Sequence, residues 1–365
     1  MTERVWNFSP GPATLPLPVL EQARDELLAL PGAGASILEI SHRSTAFERI
    51  LEEAEANLRD LLEIPASHRV LFLQGGASLQ FSMVAMNLLR GAREPAAYVV
   101  TGSWGRKAVS EAKKEGAVDV LWDGAEGGYS TVPDLGGLEI PGDAPYLHVT
   151  SNETIQGVQF RPGFEPAGGP PLACDASSDL LSRPLPIERY GLLYAGAQKN
   201  AGVAGLTIAI IRDDLLERIP EGMPTMLDYR TYAEHRSLYN TPPVFAIHVL
   251  TLVTRWIGAE VGGLDKMHER NREKAALLYG AIDASGGFYR GHAEPSARSL
   301  MNVTFRLPTE ALEETFMAEA VERRLVGLKG HRSVGGVRAS LYNAMPTEGV
   351  RVLIEFMDEF HTHTE

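Results

Sequence analysis

A single cysteine in 365 residues, Cys174, leaves no partner for an internal disulfide and too few thiolates for a multi-cysteine zinc site. Its apolar setting, Pro171-Leu172-Ala173-Cys174, reads as a buried strand position rather than a reactive thiol. Positive charge is short as well. The formal net charge is -13 and the arginines lie scattered among acids, so no basic face for nucleic acid is expected, although local arginine clusters can still bind small anions. Neither an apolar run of bilayer length nor a secretory signal at Met1-Thr2-Glu3-Arg4 is read, so the expectation is a cytoplasmic protein without a membrane partner. Internal repeats and low-complexity tracts are missing too. What remains, 44% hydrophobic and 22% charged residues, is an ordinary globular composition, and the length suggests about two domains.

Lysine is scarce: the chain has seven. Lys107, Lys113, Lys114, Lys266 and Lys274 lie in helix-like stretches where a charge is normally solvated. Lys199 instead stands between two strand-like runs, 191–194 and 205–211, inside Tyr194-Ala195-Gly196-Ala197-Gln198-Lys199-Asn200-Ala201-Gly202. An amine so placed is either exposed by a turn or is a desolvated nucleophile able to form a Schiff base with a carbonyl.

Asn7-Phe8-Ser9-Pro10-Gly11-Pro12-Ala13 is too rich in proline and glycine for a helix and reads as a fixed arm. A helix follows, with Val19, Leu20, Ala23, Leu27 and Leu28 on one face until Pro31-Gly32 stops it. Ser41-His42-Arg43-Ser44 offers two cations, and Ser44 is placed to cap the next helix. Strand Val70-Leu71-Phe72-Leu73 runs through Gln74-Gly75-Gly76-Ala77-Ser78 into a helix, a geometry that aims free backbone N–H groups at an anion, although paired glycines also serve plain tight turns. The pattern repeats: strand at 97–100, turn Thr101-Gly102-Ser103-Trp104-Gly105, helix at 107–115, strand at 118–121. Such alternation predicts a mostly parallel sheet covered by helices on both faces, with Trp104 at a strand's C-terminal end where it can stack on a flat ring or simply pack a loop.

Strand 146–150 ends in Ser151-Asn152-Glu153-Thr154, and strand 172–174 ends at Asp175, a carboxylate that is costly there unless a cation meets it or it caps a helix. Asp175 and Lys199 close successive strands, so both can face one ligand. Ile210-Ile211-Arg212 closes the sheet, Asp213 caps a short helix, and a long irregular stretch spans 220–243. The expected division is an arm at 1–15, a large domain at 16–262 and a smaller α+β domain at 263–365.

A phosphate at a helix N-terminus, a flat ring beside Trp104, an acid at Asp175 and a carbonyl carbon bound by Lys199 together describe pyridoxal 5'-phosphate, with the acid keeping the ring nitrogen protonated. Nicotinamide chemistry would want G-x-G-x-x-G after the first strand, which Gln74-Gly75-Gly76-Ala77-Ser78-Leu79 does not supply.

From end to end the chain resembles the phosphoserine aminotransferases, a class V family of fold type I pyridoxal phosphate enzymes. The resemblance is carried by 7–13, 40–44, 73–78, Ser103-Trp104, 151–154, 194–200 and His331-Arg332-Ser333-Val334-Gly335-Gly336-Val337-Arg338-Ala339-Ser340. It implies amino-group transfer between L-glutamate and 3-phosphohydroxypyruvate in serine synthesis, with 4-phosphohydroxy-L-threonine of vitamin B6 synthesis as a second substrate. Lys199 looks like the Schiff base lysine and Asp175 like the pyridine partner. By the same resemblance Ala77, Ser78 and Gln198 serve the cofactor phosphate, Trp104 stacks on the ring, and Thr154 bonds near its phenolic oxygen. Asn240 and Thr241 would reach that phosphate from the other subunit of a homodimer. Arg338, helped by Ser9, would take the α-carboxylate, while His331 and Arg332, with His42 and Arg43 from the neighbouring subunit, take the distal anion. No metal is implied.

One departure stands out. Some members carry an arginine facing the distal anion where this chain has Ser78, which leaves that site more dependent on His42, Arg43, His331 and Arg332. A cysteine desulfurase or lyase would need a mobile cysteine that Cys174 does not provide, and a silent binding scaffold would have no use for the Asp175 and Lys199 pair.

Overall fold

The computed structural model describes residues 4–364. Seven strands form the main sheet, in the spatial order His68–Leu73, Thr207–Arg212, Tyr190–Gly196, Leu172–Asp175, Leu147–Thr150, Ala96–Val100, Val118–Asp123. All neighbours from Tyr190–Gly196 outward run parallel, and Thr207–Arg212 runs antiparallel to both of its partners. The mostly parallel sheet is therefore as expected, but Thr207–Arg212 does not close it. That strand leaves the Lys199 loop and can only pair antiparallel with the strand it has just left, while its other edge receives His68–Leu73.

Near-continuous apolar strands account for the burial on both faces. One face packs against helices Thr45–Leu62 and Val244–Trp256, the other against Gly76–Leu88 and Ser103–Ala112. Ser44 caps the first of these, its hydroxyl accepting from the Phe47 amide at 3.3 Å. The window Val244–Val261 is long and apolar enough by composition to cross a bilayer, which corrects the sequence reading; 61% of it is buried inside the protein. Its apolar residues face the core of the main sheet.

Asp213 is the first residue of its short helix rather than the cap, because its carboxylate is engaged by Arg69 at 2.7 Å. The stretch 220–243 is less irregular than its sequence suggests, since it contains a turn of helix at Thr225–Leu227 and the helix Tyr229–Glu234. Helix Leu264–Ala284 places Leu264 and Met267 in the core of the main sheet. Its later residues Ala275, Leu278 and Ile282 join a second core around the three-stranded sheet Arg290–Gly291, Asn302–Arg306, Val337–Ser340.

Lys274, on that same helix, is not solvated. Its side chain is 1% exposed, and its ammonium donates to the carbonyls of Leu341, Tyr342, Asn343 and Met345 at 2.5 to 3.4 Å. The chain turn after Val337–Ser340 directs four carbonyls at one point, and a helix lysine fills it.

The described part of the N-terminal arm joins the two cores. Phe8 belongs to the second core, its N–H donates to Val326 O at 2.8 Å, and its carbonyl accepts from Ser340 N at 3.2 Å. Tyr342 Oη then donates to Pro10 O at 2.6 Å, and Ala13 N donates to Gln198 O at 2.9 Å. Residues 1–3 of the expected arm lie outside the described residues.

Candidate active site

The C-terminal ends of the parallel strands, the usual ligand edge of an open α/β sheet, bring the central candidates together. Asp175 ends its strand almost fully buried, with one carboxylate oxygen accepting from Ser177 N at 3.0 Å and Ser177 Oγ at 2.6 Å. Burial raises its pKa, opposed by the Lys199 charge and the Ser177 bonds. Lys199 follows strand Tyr190–Gly196 in a loop of small residues. Burial lowers its pKa, and the carboxylates of Asp175, Glu153 and Asp179 pull it part of the way back. This is the electrostatic setting in which a lysine can act as a neutral nucleophile at ordinary pH.

Trp104 stands beside it, with the Lys199 amine 5.8 Å from the ring centroid. The indole Nε1 donates to Thr154 Oγ1 at 2.9 Å. The helix carrying Trp104 starts at Ser103, four residues earlier than the sequence suggests. Its reason is Glu153, whose two carboxylate oxygens accept the N–H groups of Trp104 at 3.0 Å and Gly105 at 2.8 Å and so satisfy the first turn from outside. Glu153 is wholly buried, and burial raises its pKa to about 7 against the pull of those amides. Sequence reasoning does not find it. The available signal is an acid inside a run of small polar residues at a strand end.

Helix Gly76–Leu88 begins after Gly75 with no side-chain cap, so the first-turn amides, Ala77 and Ser78 included, have no protein acceptor from a cap. Gly75 has φ 87°, a conformation that favours glycine, and a Cβ there would meet the Leu79 side chain at 2.5 Å. Gln198 lies next to Lys199 under the arm; a Cβ on Gly11 would touch both side chains, at 3.7 and 3.6 Å.

Arg338 is buried on strand Val337–Ser340. Its guanidinium donates to Thr154 O at 3.1 Å, its Nε has no partner, and among the described residues no carboxylate pairs with it. Burial lowers its pKa. A buried cation without a counter-ion is a site waiting for an anion. The pKa of His331 is also lowered, by burial and then by the charges of Arg338, Arg332 and Lys107, so the loop brings a second group of cations to the same edge. Arg306 holds this loop by donating to Val334 O at 2.8 Å. Ser9 sits in the arm, its N–H bonded to Asn7 Oδ1 at 3.0 Å.

Other candidates are not joined to this cluster within the chain. His42 is half-buried and Arg43 exposed in a tight turn closed by Ser44 N to Ser41 O at 3.0 Å, and among the described residues no side-chain hydrogen bond or ion pair ties either one to the Lys199 cleft. Asn240 and the exposed Thr241 lie past the end of strand His68–Leu73, where Gln74 Nε2 donates to Thr241 O at 3.2 Å. Cys174 is fully buried with its thiol pKa pushed up by burial, so it is an inert core residue as expected.

A family model described as aminotransferase class-V matches residues 5–353. A phosphoserine aminotransferase of Rhodopirellula baltica is 56% identical over 358 residues, covering 98% of this chain and 95% of that protein. The solved phosphoserine aminotransferase of Bacillus circulans subsp. alkalophilus superposes with a TM-score of 0.97 at 49% identity, over the full length of both chains. The PLP-bound phosphoserine aminotransferase of Trichomonas vaginalis superposes with a TM-score of 0.91 at 39% identity, covering 97% of this chain and 100% of that one.

Proposed function

The chain belongs to the class-V aminotransferases, and from that premise we propose that it is a pyridoxal phosphate-dependent phosphoserine aminotransferase. It moves the amino group between L-glutamate and 3-phosphohydroxypyruvate, giving O-phospho-L-serine and 2-oxoglutarate. The observation that carries this reading is the pairing of two cation sets beside Lys199: buried, counter-ion-free Arg338, and the His331-Arg332 loop. A dianionic substrate with a carboxylate at one end and a phosphate or carboxylate at the other matches both.

The cleft residues fit the cofactor. The uncapped helix start at Gly76–Leu88, with Ala77 and Ser78, suits its phosphate, assisted by Gln198, and the Trp104 ring and Thr154 hydroxyl suit its aromatic ring. Asp175 would meet the ring nitrogen and Lys199 the aldehyde carbon. When bound, the cofactor supplies the carbonyl that accepts the amino group and the sink for electrons released at the substrate Cα. Lys199 Nζ, once freed, would take the proton from the substrate Cα and deliver it to the former aldehyde carbon of the cofactor, a task its depressed pKa favours. Arg338, helped by Ser9, would hold the α-carboxylate so that the Cα–H bond faces that amine.

The assembly proposed is a homodimer with shared sites, in which Asn240 and Thr241 reach the cofactor phosphate and His42 and Arg43 the distal anion of the neighbouring subunit. Supporting it, exposed Leu17, Leu20, Leu27, Leu28 and Leu38 cluster in the segment leading to His42. The domain division at 262/263, the cytoplasmic location and activity toward 4-phosphohydroxy-L-threonine belong to the same reading.

The test is a coupled assay for 2-oxoglutarate from glutamate with 3-phosphohydroxypyruvate and, in parallel, with its unphosphorylated analogue. Turnover only, or at far lower KM, with the phosphorylated acid is expected. No 2-oxoglutarate with either acid would overturn the aminotransferase reading. Mixing R43A and K199A protomers should restore part of the activity that each lacks alone, because one site in the hybrid regains both groups.

A further inference from the structure

We propose that Glu153 is a positioning residue for this site: its carboxylate fixes the first turn of helix Ser103–Ala112 and thereby sets the Trp104 ring against Lys199. The inference rests on the pyridoxal phosphate reading above. Two consecutive residues, Glu153 at the end of the short strand Asn152–Glu153 and Thr154 in the turn that follows, hold both ends of the same tryptophan. Glu153 takes the Trp104 main-chain N–H at 3.0 Å and Thr154 takes the indole N–H at 2.9 Å. Arg338 leans on the carbonyl of that same Thr154, so the ring and the carboxylate-binding cation share one support.

The seat is built around the carboxylate. A Cβ on Gly102 would fall 2.6 Å from Glu153 Cδ, and one on Gly105 would fall 3.6 Å from Oε1. Gln156 completes it, accepting from Ser103 N at 3.3 Å and donating to Ser103 Oγ at 2.9 Å. A helix that needs only a cap normally takes it from a serine, threonine or aspartate next in sequence. Here the cap comes from a wholly buried acid some fifty residues away, and burying a carboxylate is costly without a compensating use. The use is at hand: Lys199 and Asp175 are the charged groups that face Glu153, and the helix start supplies its amide dipoles. Glu153 thus contributes geometry through Trp104 and, once ionised, negative charge toward Lys199.

Two variants separate these contributions. In E153Q the shape is kept, one oxygen remains to accept, and an NH2 group opposes the other main-chain N–H. G102A keeps the charge but occupies the seat, with a backbone φ of 172° that alanine adopts freely. Each is measured for pyridoxal phosphate affinity, circular dichroism of the cofactor's visible band, the pH at which that band titrates, and thermal unfolding without cofactor. Both variants should bind the cofactor about tenfold more weakly, the loss typical of a hydrogen bond to a charged group, with altered visible dichroism. Only E153Q should lower the pH of titration, because only it removes a negative neighbour of Lys199. If E153Q fails to fold, G102A decides the geometric half, and wild-type affinity and dichroism in G102A then overturn the proposal. Wild-type affinity, dichroism and titration in both variants overturn it while the cofactor reading stands. A wild-type protein that takes up no pyridoxal phosphate overturns both.

Discussion

The guanidinium of Arg338 donates to the main-chain carbonyl of Thr154 at 3.1 Å, and the hydroxyl of that same threonine holds the Trp104 indole. One residue thus links the Arg338 guanidinium to the Trp104 ring. Replacing Arg338 with lysine keeps a charge but loses the fork. We expect KM for glutamate and for the oxo acid to rise roughly 10- to 100-fold in R338K, in proportion to a charge-assisted hydrogen-bond pair, with cofactor absorption unchanged. Steady-state kinetics on both substrates check this; a rise for one substrate alone would remove Arg338 from the α-carboxylate.

Lys199→Ala removes the buried amine proposed to bind the aldehyde. The visible band of the lysine-linked cofactor should vanish, and turnover should drop by about 10²- to 10⁴-fold or more, the range of a lost general base. Exogenous methylamine should recover part of the rate if the lysine acts as the proton carrier.

Gly75→Ala should weaken cofactor binding without unfolding the protein. The added Cβ needs φ near 87° and meets Leu79 at 2.5 Å, a strain of about 1–2 kcal/mol that tilts the first-turn amides of Gly76 and Ala77. Equilibrium titration should read a loss of about tenfold in affinity, the ratio that this strain energy sets.

Lys274→Met tests the lysine that serves as mortar. Its ammonium satisfies carbonyls of Leu341, Tyr342, Asn343 and Met345, and burial lowers its pKa to about 7. The variant leaves those carbonyls without their donor, and a loss of roughly 2–4 kcal/mol is expected. Urea unfolding at neutral pH measures it; an unchanged midpoint would mean the loop re-pairs by itself.

His148 should make the fold acid-sensitive. Burial lowers its pKa from 6.5 to about 3, with Nε2 bonded to Tyr194 Oη at 2.8 Å and the ring stacked on Tyr98. The unfolded chain therefore binds the proton first. The stability contribution is complete above pH 6.5 and is lost as pH falls toward 3, by at most about 1.4 kcal/mol per pH unit. In H148Q the acid limb of stability against pH should be flatter, a comparison for thermal melts between pH 4 and 7.

Lys199 and Asp175 are legible in the sequence because a charge ending an apolar strand breaks a periodic pattern, and two such breaks at successive strand ends must converge at one sheet edge. The strand, glycine and helix sequence around Gly75 is legible for the same local reason. Glu153 and Lys274 are not. Glu153 is recognisable only once Gly102 and Gly105 arrive from fifty residues away, and Lys274 only once four carbonyls from 341–345 turn toward its helix. Local pattern makes a lysine on a helix solvated by default, and tertiary placement overrides it. The antiparallel strand Thr207–Arg212 is hidden likewise, since its composition matches that of its parallel neighbours.

The arm also bears on the order of folding. Its Phe8 and Pro10 are fastened by Ser340 and Tyr342, the last across 332 positions, and its Ala13 by Gln198. Contacts between such distant positions carry a large loop-closure cost, so the arm beside Lys199 is expected to dock after the strand and helix pairs of the main sheet have formed.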